Sequence, residues 1–177
     1  ELARGYCALF PIDEIIVWNH RSPGAEQLAA TLRDEGLPAT STNDLGAACA
    51  TADIVTCATM SSTPVVLGDW LNAGCHLDLV GAFTPAMREA DDVAISQARV
   101  FVDTMVGALT EAGDILQPIQ SGALRESDIE ADLFSLCRGF DVQRARDDIT
   151  LFKSVGHALE DLVSAAAVYE ALAQQPK

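Results

Sequence analysis

The 177-residue chain is 49% apolar and 21% charged, with 26 acidic residues against 11 basic ones and a net charge of −15. This is the profile of a globular chain with a sizeable core and excludes a disordered segment. The acidic surplus, spread without any basic block, argues against nucleic acid or an anionic membrane as a partner. Five cysteines (Cys7, Cys49, Cys57, Cys75, Cys137) form an odd set with no C-x-x-C pair, and three scattered histidines have no ligand spacing. Neither a disulfide framework nor a metal site is expected. No apolar run reaches transmembrane length and no signal peptide is legible, so a cytoplasmic location is expected. The first residue is Glu1 rather than Met, which suggests a fragment of a longer protein.

Short apolar runs alternate with helical patterns along the chain. Residues 14–18 (EIIVW) read as a buried strand, followed by a helix over 23–35 with Ser22 as N-cap, Pro23 at its first position and Gly36 at its stop. A short strand over 37–40 and a small helix from Asp44 to Ala50 follow. Residues 54–58 (IVTCA) form a second clear strand, 63–71 a turn or short helix, 76–80 (HLDLV) a third strand and 100–102 (VFV) a fourth, with a helix over about 106–112. The last element reads as a long helix over roughly 150–173, apolar around much of its circumference. Strands separated by helices imply right-handed crossovers and an α/β fold: a Rossmann-like parallel sheet with helices on both faces.

In such sheets ligands bind beyond the carboxyl ends of the strands. The loops that qualify are 19–22, 59–64, 81–85 and the Asp103-Thr104 end. In a dinucleotide-binding unit an acid at the end of the second strand favours NAD and an Arg favours the 2′-phosphate of NADP. Here that position offers Asn19, His20, Arg21 and Ser22 and no acid, so NADP(H) is favoured, with NAD(H) possible; the alternative is a plain exposed polar turn. The G-x-G-x-x-G phosphate loop does not occur, and residues 1–9 look like the end of a helix that would follow it. The stretch Asp147 to Asp161 (DDITLFKSVGHALED) places Ser154 and Gly156 at a helix start, where unpaired N–H groups suit an anion. An ordinary N-terminal turn of a core helix is the alternative.

These motifs resemble the ornithine cyclodeaminase / μ-crystallin family over nearly the whole chain. The most specific is D-D-I-T-L-F-K-S-V-G-x-A-L-E-D-L (Asp147 to Leu162). Val17 to Arg21 (V-W-N-x-R), Ala52 to Thr59 (A-D-I-V-T-C-A-T), Val80 to Glu89 (V-G-A-F-T-P-x-M-R-E) and Glu111 to Ile115 (E-A-G-D-I) follow in the family's order. The resemblance implies a Rossmann-like domain, here residues 1–145 without its first strand and glycine-rich loop. It also implies a C-terminal helix, within 146–177, that contributes to a substrate and dimerisation domain. The expected partners are an NAD(P) cofactor, a small imino or amino acid and a second subunit. The absent first third would carry the Arg and Lys that hold the substrate carboxylate, so the 177 residues alone are expected to be inactive. Ornithine cyclodeaminases place an Asp in the loop after Val80-Gly81-Ala82, where this chain has Phe83, and a phenyl ring can neither accept a proton nor pair with an ammonium. The chain is therefore more similar to the imine-reductase branch, whose members reduce ketimines such as Δ1-pyrroline-2-carboxylate.

On this resemblance the reaction is hydride transfer from NAD(P)H to the C=N carbon of an α-imino acid, giving an L-amino acid. Thr59, Ser61 and Pro64 line the ribose side, and Gly81 and Ala82 let the backbone approach the cofactor. Phe83 walls the substrate, with Thr84 beside it as a catalytic candidate. Ser154, Val155 and Gly156 close the nicotinamide end. Lys153, the other catalytic candidate, supplies positive charge near the substrate carboxylate or cofactor, unless it is a surface lysine beside a helix start. Arg88 and Glu89 read as a structural ion pair, Glu160 and Asp161 as solvated helix residues, and His157 as packing rather than a proton donor. The competing functions are ornithine cyclodeamination or amino-acid dehydrogenation on the same fold, and non-enzymatic ligand carriage of the μ-crystallin kind.

Overall fold

The computed structural model describes residues 1–173. The chain divides into two compact units, residues 1–52 with 70–72, and residues 53–69 with 73–177.

The first unit begins with helix α1 (Leu2–Leu9) and then forms β1 (Ile15–Val17), α2 (Ser22–Asp34), β2 (Ala39–Ser41) and α3 (Leu45–Cys49). Strands β1 and β2 pair in parallel, Ile15 opposite Ala39 and Val17 opposite Ser41. The apolar spacing of α2 puts Ala25, Ala29 and Leu32 on one face, which closes over Val17 and Ala39 with Ala3, Ile15 and Leu37 at the margin. The helix starts one residue before Pro23, whose missing N–H costs nothing in a first turn. Arg21, not Ser22, is its N-cap, and no side chain caps it. The Ser22 hydroxyl instead donates to Asn43 Oδ1 at 2.5 Å. Asp44 does cap α3, accepting from the Ala47 N–H at 2.9 Å.

The second unit holds a five-stranded sheet in the order β3 (Ile54–Cys57), β4 (His76–Leu79), β7 (Thr150–Lys153), β5 (Arg99–Val102) and β6 (Ile129–Asp132), every pair parallel. Its helices are α4 (Asp92–Ser96), α5 (Met105–Thr110), α6 (Gly113–Ser121), α7 (Leu133–Cys137) and α8 (Ala158–Ala173). The connections from β4 to β5 and from β5 to β6 run one way across the sheet, while β6 to β7 runs back. Right-handed crossovers therefore put α4, α5 and α6 on one face and α7 on the other. The fold is α/β and Rossmann-like, as the alternation of elements predicts.

The expected long helix from residue 150 is not continuous. Thr150–Lys153 is the central strand of the sheet, with Leu151 opposite Leu77 on one side and Val100 on the other. Thr-Leu-Phe-Lys carries β-branched and aromatic residues and is too short for periodicity to separate strand from helix. Gly156, at φ 90, then turns the chain before α8 begins. Helix α8 buries none of its residues, and Leu162, Val163, Val168, Tyr169 and Leu172 are all exposed.

The sheet's core is dense at its centre: Leu77, Leu79, Val100, Val102 and Leu151 are fully buried. Truncating the central residue, Leu151→Ala, leaves a cavity between two paired neighbours and is expected to lower stability by about 3 kcal/mol. A reduced denaturant midpoint at unchanged slope checks this. An unchanged midpoint would mean that β7 is not the strand on which the unit is built.

Candidate active site

The carboxyl ends of β3, β4, β7 and β5 bring together most of the residues marked in the sequence. After β3, Thr59 accepts through its carbonyl from the Ala82 N–H at 3.3 Å, which joins the loops that follow β3 and β4. Ser61 accepts from Arg88 N–H at 2.7 Å, and its hydroxyl donates to the Thr63 carbonyl at 2.6 Å. Pro64 is exposed beside them.

After β4 the backbone is tightly held. A Cβ on Gly81 would lie 1.9 Å from the Thr59 carbonyl oxygen and 2.4 Å from Glu89 Oε1, so only glycine fits. Ala82 is fully buried with φ 48, the one non-glycine residue with positive φ among those described. Its carbonyl accepts from the Gly113 N–H at 3.2 Å. This bent segment turns the chain so that Phe83, 44% exposed, stands at the surface with Thr84 half-buried behind it.

Lys153 lies elsewhere than expected. Its side chain has no exposed surface, and its ammonium donates to the Leu79 carbonyl at 3.2 Å and to the Gly81 carbonyl. Asp114 Oδ2 stands 3.6 Å from the same nitrogen. It is neither a surface lysine nor a group that can reach a substrate carboxylate, because strand pairing carries it into the unit beneath the loop after β4. Arg88 and Glu89 are not an ion pair: Arg88 pairs with Asp92, and Glu89 turns inward to accept from the Thr59 N–H at 2.5 Å.

The expected anion site at Ser154-Gly156 is filled from within. Asp103, at the end of β5 and 1% exposed, directs Oδ2 at the N–H groups of Val155 and Gly156, each at 2.8 Å, and at the Ser154 hydroxyl at 3.3 Å. Its Oδ1 accepts from the Thr104 N–H at 2.6 Å, and Thr104 caps α5 through the Gly107 N–H at 3.0 Å. The N–H groups suit an anion, as the motif implies, and the chain supplies that anion itself. His157 packs edge-on to Phe134 with ring centroids 5.7 Å apart. A cleft of about 300 Å³ between α7 and the start of α8, lined by Leu133, Phe134, Cys137 and Leu159 among others, contains none of the predicted site residues.

In the first unit, Asn19 Oδ1 accepts from the Arg21 N–H at 2.9 Å, and the Arg21 guanidinium donates to His20 Nε2 at 3.1 Å. Among the described residues no carboxylate pairs with Arg21, so an exposed guanidinium stands beside Ser22 at the start of α2.

The family model for the ornithine cyclodeaminase/mu-crystallin family matches residues 3–175. The chain belongs to this family. A Δ1-pyrroline-2-carboxylate reductase of Paracoccus denitrificans is 39% identical over 98% of the chain and 55% of its own length. The Thermococcus litoralis Δ1-pyrroline-2-carboxylate reductase, solved with NADH and L-proline, superposes with a TM-score of 0.91 at 30% identity, over 96% of this chain and 53% of that one. An archaeal alanine dehydrogenase dimer with bound NAD superposes with a TM-score of 0.88 at 26% identity, over 98% of this chain and 54% of that one. The chain thus spans about half the length of the relatives it matches.

What reading residues singly misses is the burial of three acids. Glu89 and Asp114 lie in the family motifs and Asp103 at a strand end, and only the fold reveals that all three are buried. Removing the internal anion, Asp103→Ala, is expected to cost about 3 kcal/mol by leaving several N–H donors unpaired. Faster hydrogen exchange at the Val155 and Gly156 amides checks that the loop depends on it. Unchanged exchange at both amides would refute that dependence.

Proposed function

We propose that the full-length protein reduces an α-imino acid, a ketimine such as Δ1-pyrroline-2-carboxylate, to an L-amino acid with NAD(P)H. The observation that carries this reading is Phe83. It projects from the end of β4, 44% exposed, where a cyclodeaminase requires an acid. An apolar ring there can wall off an imine carbon but cannot handle a substrate ammonium. The similarity to two Δ1-pyrroline-2-carboxylate reductases points the same way.

A bound nicotinamide supplies the hydride. The chain's own residues orient it and exclude water. Thr59, Ser61 and Pro64 are proposed to flank the ribose, and the bent Gly81–Ala82 backbone to lie against the ring. Thr84 faces the substrate beside Phe83, while Ser154, Val155 and Gly156, tied down by Asp103, close the nicotinamide end. The fit of a dinucleotide phosphate rests on Arg21, whose guanidinium has no carboxylate partner among the described residues, with Asn19 and Ser22 beside it. That donor set favours the 2′-phosphate of NADP over the ribose hydroxyls of NAD. The exposed apolar surface of α8 is proposed to serve the substrate and dimerisation domain. Five free cysteines suit a reducing cytoplasm.

The test is the full-length protein with NADPH and Δ1-pyrroline-2-carboxylate, followed by the fall in nicotinamide absorbance. Ammonia release from ornithine without turnover of imino acids would sink the reductase reading. Tight cofactor binding with turnover of neither would favour a carrier. For cofactor choice, Arg21→Ala is expected to narrow the NADPH-over-NADH preference about 10-fold, the scale of one charge-assisted contact. A variant that keeps the wild-type preference removes Arg21 from the argument.

A further inference from the structure

Three ionisable side chains without exposed surface, Glu89, Asp114 and Lys153, meet beneath the carboxyl ends of β3, β4 and β7. None can touch a ligand directly. The lysine head donates to the Leu79 and Gly81 carbonyls, and Asp114 Oδ2, which has no hydrogen-bond partner, stands 3.6 Å away in ion-pair range. Two carbonyls and a carboxylate around one buried amine favour the ammonium, so Lys153 is the cation. Asp114 faces that cation, and its Oδ1 also accepts from the N–H groups of Glu89 at 2.7 Å and Ala90 at 3.1 Å. Those partners suit an ionised carboxylate.

Glu89 is provided for differently. Its Oε1 accepts one backbone N–H, from Thr59, and Oε2 is buried with no hydrogen-bond partner. With Asp114 already balancing the lysine, a second carboxylate would be a buried charge supported by Thr59 alone, a far greater cost than a neutral carboxyl. Asp103, the remaining acid that acts on Lys153, is engaged by Thr104, Ser154, Val155 and Gly156. We infer that Glu89 is held protonated and acts as a neutral positioning residue, fixing Thr59 and the Gly81–Ala82 bend that presents Phe83 and Thr84. Its carboxyl packs directly on Gly81, where a Cβ would lie 2.6 Å from Cδ. Burial pushes both the Glu89 and the Asp114 carboxyl up from their usual range; the negative charge of Asp114 adds to the shift at Glu89, while the amides of Glu89 and Ala90 and the charge of Lys153 oppose it at Asp114.

The effect on turnover rests on the reductase reading; the protonation state does not, and the experiment separates them. In the full-length protein, Glu89→Ala is expected to lower kcat about 100-fold, the scale of a small misplacement of reacting groups, with a smaller change in KM. Glu89→Gln, which has the shape of the neutral acid and cannot ionise, is expected to rescue kcat to within about 3-fold of wild type, with an unchanged pH profile. A Glu89→Gln protein as impaired as Glu89→Ala would mean that a negative charge is required and would overturn the inference. Infrared difference spectra of wild type against Glu89→Gln read the proton without substrate. A carboxylic-acid C=O band present in wild type and lost in Glu89→Gln is the expected result. A wild type without that band overturns the inference even if Glu89→Ala fails to fold. A band present in a protein that reduces no imino acid would leave the proton on Glu89 and sink the reductase reading alone.

Discussion

The second unit depends on the ammonium of Lys153. One cation, delivered into the interior by the central strand, binds the carbonyls of Leu79 and Gly81 and faces Asp114. The Leu79 carbonyl also accepts from the Ser154 N–H at 3.0 Å, whereas the Gly81 carbonyl lies beyond the pairing of β4 and, buried in its loop, needs a donor. Lysine suits the task because its compact head carries three donors on a long stem. Removing one partner from such a buried pair costs about 3–5 kcal/mol, because the other is left as an uncompensated charge. The ion pair is therefore better understood as a fixer of conformation than as a net source of stability. What it fixes is the left-handed bend at Ala82, which turns Phe83 toward solvent.

The same logic governs Asp103. A cluster of N–H groups at Thr104, Val155 and Gly156 is electropositive, and such a cluster is filled either by a ligand's anion or by an internal one. Here the carboxylate at the end of β5 occupies it, and the loop after β7 is anchored to the loop after β5. Phosphate recognition is therefore not the business of Ser154 to Gly156.

Much of this architecture is legible from residues alone. The runs read at 54–58, 76–80 and 100–102 fall on the strands Ile54–Cys57, His76–Leu79 and Arg99–Val102, and Pro23 and Asp44 mark helix starts as their chemistry requires. The place of Phe83 in the loop after β4 follows from the motif at Val80 to Glu89, whereas the bend at Ala82 emerges only in the fold. The failures share one cause. Thr150–Lys153, a four-residue strand joined to an apolar helix by a glycine turn, has no period of its own, so the helix pattern beyond it extends backward over it. Assigning that segment to a helix surface makes Lys153 look exposed and chemically available. Assigning it to the centre of the sheet buries it. Ser22 fails for a related reason: a hydroxyl before a proline reads as a cap, but its partner, Asn43, is distant in sequence. Partners for buried polar groups are long-range facts, and spacing does not encode them.

The acidic surplus acquires a meaning from these sites. Three of the acids, Glu89, Asp103 and Asp114, are fully or almost fully buried, and the charge of each acts on the same lysine. An interior with more carboxyls than cations must either satisfy each anion with N–H groups or keep a proton on one of them. Asp103 takes the first course with Thr104, Ser154, Val155 and Gly156, and Asp114 with two amides on one oxygen and the ammonium 3.6 Å from the other. Glu89 has too few donors for that course. Its position against Gly81 means that any change in its charge is felt first by the backbone that turns Phe83 outward. The requirement for glycine at 81, the bend at Ala82 and the proton on Glu89 are thus aspects of one constraint: the loop after β4 closes only over a neutral carboxyl.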